Sequence, residues 1–108
     1  MARRDPSTKV THSAAVVLQA LARGYQHGFD VIELTGLQGG TVYPVLRRLE
    51  RDGLVRSRWE RAELAQQEGR PPRRYYQVTA AGRTALAEAL ERFRFLRPFA
   101  EQLPVKQT

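Results

Sequence analysis

Only two short segments of this chain carry the alternating pattern of a β-strand, so they can pair only with each other. In the first, LVRSRWER, the residues Val55, Ser57 and Trp59 alternate with charged side chains, as in a half-buried strand. The second, RRYYQVT, follows the polar loop AELAQQEGRPP and predicts a strand that returns antiparallel to the first. The pattern predicts one β-hairpin, or wing, with a contact between Trp59 and Tyr76 across it, for which a ligand-binding role of the two aromatic residues is the alternative.

Two helical segments open the chain. Residues 11–23, THSAAVVLQALAR, predict a helix that is apolar on more than one side and needs covering from two directions. Residues 29–35, FDVIELT, predict a helix of about two turns, in which Phe29 and Ile32, with Val31 as a third candidate, point inward. A glycine directly after each segment supplies the stop signal.

A third helical segment, residues 38–55, has the sequence QGGTVYPVLRRLERDGLV and contains a proline. Its apolar positions recur at helical spacing and form one face: Val42, Val45, Leu46 and Leu49. Pro44 points away from that face. If Thr41 caps the helix, Pro44 lies in the first turn, where its missing N–H costs little; if the helix begins near Gln38, Pro44 deletes one hydrogen bond. The sequence leaves both starts open.

The order of elements is helix, helix, helix, strand, wing, strand, helix. This is the winged helix-turn-helix fold, mostly α with a small β-hairpin, whose third helix enters the major groove of DNA. The chain has 18 Lys and Arg against 11 Asp and Glu, a formal net charge of +7. That charge favours nucleic acid or an acidic membrane surface as the partner, without choosing between them.

The third helix has a basic face. Arg47 and Arg51 lie opposite its apolar face and Arg48 lies on the flank. The wing adds a second basic group: Arg70, Arg73 and Arg74. A solvated charged face is the alternative for the helix alone, but a basic helix beside a basic wing is the electrostatic pattern of nucleic-acid binding. Gly39 and Gly40 leave the helix start free of bulk, so backbone N–H groups can approach a phosphate.

The sequence offers little for other chemistry. Without cysteine it can form neither a disulfide nor a Cys-ligated zinc site, and this fits a reducing cytosol. His12 and His27 are too isolated for a metal site or an acid–base pair, and no Ser-His-Asp set or carboxylate pair stands out. We therefore expect neither an enzyme nor a cofactor, and a cytoplasmic location.

The N-terminal residues imitate a signal peptide, with MARRDPSTK before the apolar run AAVVLQALA. That run is short and is interrupted by Gln19, and cleavage after it would remove the first helix of a small domain. No segment approaches the roughly 20 apolar residues that span a bilayer. We therefore expect no membrane partner.

The final helix is predicted from a cap at Thr79 to residue 96, and its apolar stripe is longer than one small domain can cover. An exposed stripe of this kind is normally an interface, so we predict a dimer. The predicted interface consists of Val17, Leu18, Leu21, Leu86, Leu90, Phe93 and Leu96. The alternative is that the stripe packs wholly within its own chain. The predicted divisions are a flexible N-terminal tail (1–10), the winged helix-turn-helix domain (11–79), a C-terminal dimerisation helix (80–97) and a C-terminal tail (98–108).

Three runs of residues, HGFDVI (27–32), GGTVYPVLRRLERDGLV (39–55) and GRPPRRYYQVTAAGR (69–83), resemble the PadR family of bacterial winged-helix transcriptional regulators. The resemblance covers about residues 12–90 and favours the short form with a single C-terminal helix. It implies a homodimer held by the first and last helices, with double-stranded DNA bound by the third helix and wing. It also implies repression relieved by a small molecule.

By residue, the resemblance assigns Thr41, Tyr43, Arg47 and Arg48 to the DNA-contacting helix and residues 69–74 to the wing. With the basic face added, the predicted DNA-binding set is Gly40, Thr41, Tyr43, Pro44, Arg47, Arg48, Arg51, Arg70, Arg73 and Arg74. A small hydrophobic effector between paired helices would contact Phe93 and Phe95, for which core or interface packing is the alternative.

Three features depart from the family's pattern. The link ELTGLQGG before the third helix is short, Gln38-Gly39 replaces the customary Ser-Pro, and the wing has a second proline, Pro72. The first two affect the start of the third helix and the last affects the path of the wing. The alternative function is a winged-helix protein-interaction module without specific DNA binding, and RNA binding is a third.

Overall fold

The chain folds as three helices, a two-stranded hairpin and a further helical region. The computed structural model describes residues 10–107, apart from the side chains of Leu96 and Ala100. The elements are α1 (His12–Ala22), α2 (Gly28–Thr35), α3 (Gly39–Arg51), β1 (Val55–Trp59), α4 (Ala62–Gln67), β2 (Arg74–Val78), α5 (Ala80–Arg92), a 3₁₀ turn (Arg94–Leu96) and α6 (Arg97–Gln102). This order confirms the predicted winged helix-turn-helix fold.

Helix α1 is the centre of the core. The Thr11 hydroxyl caps it by accepting a hydrogen bond of 3.1 Å from the Ala14 N–H. Helices α2, α3 and α5 and strand β2 all contact α1, so Val17 and Leu18 are completely buried. The apolar residues on several sides of α1 are therefore covered within the same chain.

The buried residues of α2 differ from those predicted to point inward. Val31 is completely buried, Ile32 is half-buried, and Phe29 is 58% exposed. The helix begins at Gly28, after a cap at His27, and Gly28 and Val31 share its inner face. Phe29 lies about 100° around the helix from Gly28, and this rotation turns its ring to the surface.

Helix α3 begins at Gly39, with Gln38 as its N-cap, which decides between the two predicted starts. Pro44 therefore lies inside the helix and removes the hydrogen bond that its nitrogen would have donated to the Gly40 carbonyl. The side chain of Pro44 is exposed, as predicted. The four predicted core positions are all buried: Val42, Val45, Leu46 and Leu49.

Strands β1 and β2 pair antiparallel, with Val55 opposite Val78 and Trp59 opposite Arg74. Both valines are buried at the base of the hairpin, where it packs on the helices. Trp59, which shares the predicted half-buried face with Val55 and Ser57, is 63% exposed, because the strands extend past the core at their far end. The connection was predicted as a polar loop, whereas it contains α4, anchored by the buried Ala65.

Thr79 joins the hairpin base to α5. Its hydroxyl accepts a 3.0 Å hydrogen bond from the Gly82 N–H, as the predicted N-cap, and donates one of 2.7 Å to the Gly53 carbonyl. Gly82 packs directly on the backbone of Leu54, so a Cβ at this position would overlap the Leu54 carbonyl oxygen. The C-terminal helix and the end of α3 are thereby held in close contact.

The C-terminal region differs from the predicted single helix and tail. Helix α5 ends at Arg92, and α6 follows a 3₁₀ turn, with Pro98 near its start, where a missing N–H is tolerated. Beyond α6, Leu103 is buried, and the Lys106 N–H donates a 2.8 Å hydrogen bond to the Arg23 carbonyl. Residues 98–107 therefore fold against the body. At the other end Val10 is buried, while residues 1–9 of the predicted N-terminal tail lie outside the described residues.

The residues of the predicted dimer interface are less exposed than the sequence suggested. Most of its residues are covered by their own chain: Val17, Leu18, Leu21 and Leu86 are buried. Leu90 and Phe93 are half-buried against the same core, and the side chain of Leu96 lies outside the described residues. The stripe is thus shorter on the surface than the sequence predicted. Phe95, 70% exposed, and Phe99 and Val105 are the large exposed apolar residues of this region.

Candidate nucleic-acid interface

The outer face of α3 presents the predicted basic residues to solvent. Arg47, Arg48 and Arg51 are exposed. Arg51 approaches the Asp52 carboxylate at 3.5 Å, whereas neither Arg47 nor Arg48 pairs with a carboxylate among the described residues. Two guanidinium groups are therefore available for a phosphate or a base edge, both of which arginine can bind through two parallel hydrogen bonds.

The N-terminus of α3 is free of bulky side chains, as predicted from Gly39 and Gly40. The Thr41 and Val42 N–H groups both donate 2.9 Å hydrogen bonds to the Gln38 carbonyl, and the two earlier N–H groups have no intrahelical partner. A Cβ at Gly40 would meet no atom within 4 Å. An anion can thus approach the backbone here closely, with the helix dipole in its favour.

Tyr43 lies beside this start and is held by glycines. Its exposed ring packs so closely on Gly28 of α2 that a Cβ there would overlap it, and a Cβ at Gly39 would lie 3.6 Å from it. The sequence had not marked Gly28 as a site residue. Gly28 is the first residue of α2, and its contact with Tyr43 of α3 becomes visible only once the two helices are packed.

In the wing, Arg73 and Arg74 reach the same side as α3. Arg73 is half-buried and pairs with no described carboxylate. Arg74 donates from Nε to the Ser57 hydroxyl at 2.9 Å and from a terminal nitrogen to Glu50 at 3.3 Å. Its guanidinium lies 5.5 Å from the Trp59 ring centre and 5.9 Å from that of Tyr76. The predicted contact between the two rings is therefore replaced by an arginine that contacts both.

Arg70, by contrast, is ion-paired within the wing. Its guanidinium donates to both oxygens of Glu60, at 2.6 and 2.9 Å, and to Glu68 at 2.9 Å. Glu60, whose side chain is 7% exposed, also accepts hydrogen bonds from the Tyr75 hydroxyl and the Arg73 N–H. The Arg70 hydrogen bonds lower the pKa of Glu60 to about 2, and Glu60 in turn raises the pKa of Arg70. Arg70 therefore ties the two ends of the wing connection together, and its contact with DNA stays a prediction.

The helix face and the wing meet at a cleft of about 250 Å³. Its lining combines aromatic, basic and glycine residues: His27, Gly28, Phe29, Tyr43, Pro72, Arg73, Arg74 and Tyr76. Burial lowers the pKa of His27, against the opposing effect of the nearby Asp30. The cleft thus brings the predicted residue Tyr43 together with Arg73 and Arg74, which follow it by about 30 positions in the sequence.

The surface formed by α3, this cleft and strand β2 has the shape and charge of a winged-helix DNA interface. The model of the transcriptional regulator PadR-like family matches residues 17–88, which is more than half of the chain. The chain belongs to the PadR-like family. PadR-like proteins are transcriptional regulators, so the match assigns this chain to DNA-binding regulation. The matched residues include the third helix and the wing.

Solved structures agree with this PadR-like assignment. The chain is 23% identical to a PadR family transcription regulator from Clostridium difficile R20291, with a TM-score of 0.67 over 85% of this chain and 97% of that one. It is 27% identical to a PadR family transcriptional regulator from Eggerthella lenta DSM 2243, with a TM-score of 0.59 over 82% and 80% of the two chains.

A third structure, of Bordetella bronchiseptica BpsR, concerns regulation of that protein's DNA binding by 6-hydroxynicotinic acid. It is 27% identical, with a TM-score of 0.62 over 92% of this chain and 65% of that one. None of the curated proteins matches the chain.

Residues 10–107 contain neither a candidate metal site nor a candidate membrane-spanning helix. No group of three or more metal-binding side chains occurs among them. None of their helices combines the length and the hydropathy needed to cross a membrane.

Proposed function

We propose that this PadR-like protein is a sequence-specific repressor that binds an inverted-repeat operator as a homodimer. One observation carries the proposal: Arg47, Arg48 and Arg73 lie on adjoining surfaces and none of them pairs with a described carboxylate. Arg70 and Arg97, by contrast, are held in ion pairs with acidic side chains. Three unbalanced arginines beside an open helix start favour a polyanion.

Arg47 and Arg48 are placed to read base edges, since they project from the helix that enters the major groove. Thr41, Tyr43 and the Gly40 backbone would bind the phosphates that flank those bases. Arg73 would contact a phosphate from the wing. On the exposed face Pro44 lies about one turn before Arg47 and Arg51 about one turn after it, and both would border the same groove.

The proposed dimer uses the C-terminal region. Phe95 is the most exposed of the large apolar residues, and the half-buried Leu90 and Phe93 adjoin it. Pairing of two such surfaces would bury aromatic area that a monomer leaves in water, with the buried residues of α1 supporting the interface from beneath. Two-fold pairing would set two recognition helices one DNA turn apart, roughly 34–36 Å, which is why the proposed operator is an inverted repeat.

We also propose a small, flat, hydrophobic effector that relieves repression. The rings of His12 and Phe93 lie edge to face with centres 4.0 Å apart, and Phe95 lies 5.1 Å from His12. Such a cluster beside a dimer interface could hold a flat ring. Regulation of BpsR by 6-hydroxynicotinic acid is a precedent on a similar fold. Because its target is genomic DNA, we expect the protein to act in the cytoplasm.

The proposal is tested by titrating the protein against genomic DNA fragments at several salt concentrations, with excess non-specific competitor. We expect tight binding to a few fragments, with affinity that falls steeply as salt rises. Equal binding to every fragment, or none, would favour the protein-interaction module instead. Tight binding to transcripts in place of duplex DNA would favour an RNA-binding protein.

The dimer is tested by Leu90→Asp combined with Phe93→Asp, followed by sedimentation. We expect a folded monomer with greatly weakened operator binding. A soluble double variant that remains dimeric would refute this interface.

A further inference from the structure

A carboxylate links the recognition helix to both strands of the wing. Glu50 lies on α3, near the end of the basic face, with its side chain about one-third exposed. The Ser57 hydroxyl on β1 donates a 2.5 Å hydrogen bond to one oxygen of Glu50. Arg74 on β2 donates at 3.3 Å to the other oxygen. Glu50 therefore contacts both strands of the wing.

Ser57 closes this network. Its hydroxyl has one proton, which is donated to Glu50, and an oxygen that accepts the 2.9 Å hydrogen bond from Arg74 Nε. Arg74 consequently uses two nitrogens of its planar guanidinium, with Nε bound to Ser57 and a terminal nitrogen bound to Glu50. The guanidinium of Arg74 also lies over the Trp59 ring, and this contact further restricts the motion of the arginine side chain.

An acidic residue in this position works against DNA affinity. Glu50 lies on the same helix as three exposed arginines, and a carboxylate close to a phosphate backbone is repelled by it. The pair with Arg74 is partly exposed, so its Coulomb energy is screened and small. What the network supplies is geometry, because it fixes the wing arginine at one angle to the recognition helix.

We propose that Glu50 is a positioning residue that holds Arg74 for the operator and thereby improves discrimination between the operator and other DNA. This inference rests on the proposed function. A fixed guanidinium can meet a phosphate only where the recognition helix is in its correct register. A released one could follow any nearby phosphate, which would strengthen binding to all sequences and reduce the difference among them.

The first test needs no DNA, because Trp59 is the only tryptophan of the chain. In Glu50→Gln and in Ser57→Ala we expect a shifted emission maximum and a larger acrylamide quenching constant for Trp59, as Arg74 leaves the ring. Arg74→Lys should give the same change, since an ammonium cannot bridge two partners as a planar fork does. Unchanged Trp59 fluorescence in all three variants would overturn the positioning role.

The second test measures affinity for the selected operator and for unrelated duplex DNA. We expect Glu50→Gln to bind unrelated DNA more tightly than wild type, while the ratio of the two affinities falls about fivefold, equivalent to about 1 kcal/mol. Glu33→Gln, an exposed position on α2, removes the same charge outside the network and should leave the ratio unchanged.

The outcomes separate the two proposals. If Glu50 were only structural, both affinities would fall together along with the melting temperature, and the ratio would remain that of wild type. That result would overturn the inference while leaving the proposed function intact. If wild type itself showed no preference for any fragment, the proposed function and the discrimination role would both fail, whereas the Trp59 measurement would still decide whether Glu50 holds Arg74.

Discussion

Replacing Thr79 by alanine should destabilise the fold measurably, because one hydroxyl joins the hairpin base, the end of α3 and the start of α5. The lost N-cap to Gly82 costs about 1 kcal/mol. The lost donor to the Gly53 carbonyl costs about 1 kcal/mol more. We therefore expect the free energy of unfolding to fall by about 2 kcal/mol, and the melting temperature by roughly 8–15 °C for a domain of this size.

The assay is urea and thermal unfolding followed by circular dichroism. Thr79→Ser keeps the hydroxyl and should restore most of the lost stability. Thr84→Ala serves as the matched control, since Thr84 is exposed and only donates to a carbonyl of its own helix at 3.3 Å. A loss below about 0.5 kcal/mol in Thr79→Ala, or an equal loss in Thr84→Ala, would refute the reasoning.

Three further changes probe other contacts. Gly82→Ala forces a Cβ against the Leu54 carbonyl and should cost roughly 1–3 kcal/mol in urea unfolding; a neutral effect would show that the two backbones can separate freely. Burial lowers the pKa of His27 below its usual 6.5. As the pH falls, the unfolded chain therefore takes up a proton at His27 before the folded chain does, and the free energy of unfolding should fall below about pH 6.5. His27→Asn keeps a capping side chain and should flatten this dependence, which unfolding between pH 8 and 5 would measure. Pro44→Ala restores a donor to the Gly40 carbonyl and should keep or raise the melting temperature while altering operator affinity, and a collapsed melt would contradict the outward position of Pro44.

The sequence predicted α3 well because thirteen residues provide several turns over which the apolar face repeats. Helix α2 has eight residues, so its phase depends on where it starts, and the cap at His27 was not anticipated. Phe29 was consequently assigned to the wrong side. Helix α4 had no periodic signal, because only Ala65 is buried in it.

The candidate site was predicted less completely than the fold. The amino-acid composition gives the number of arginines, but it does not show which of them pair with a carboxylate on the other side of the hairpin. Arg70 and Arg73 are three residues apart, yet Glu60 neutralises the first and leaves the second unpaired. The role of Glu50 likewise depends on the register that places Ser57 next to Arg74 in space. Such pairings become visible only in three dimensions.

The central claim is that α3 reads DNA sequence, and the most direct measurement compares Arg47→Ala with wild type on two DNAs. On the selected operator we expect a loss of about 1–3 kcal/mol, because Arg47 would contact a base edge. On unrelated duplex DNA we expect only the small loss that accompanies one fewer positive charge. Equal losses on both DNAs would contradict base reading by Arg47, and no loss on either would place the DNA surface elsewhere.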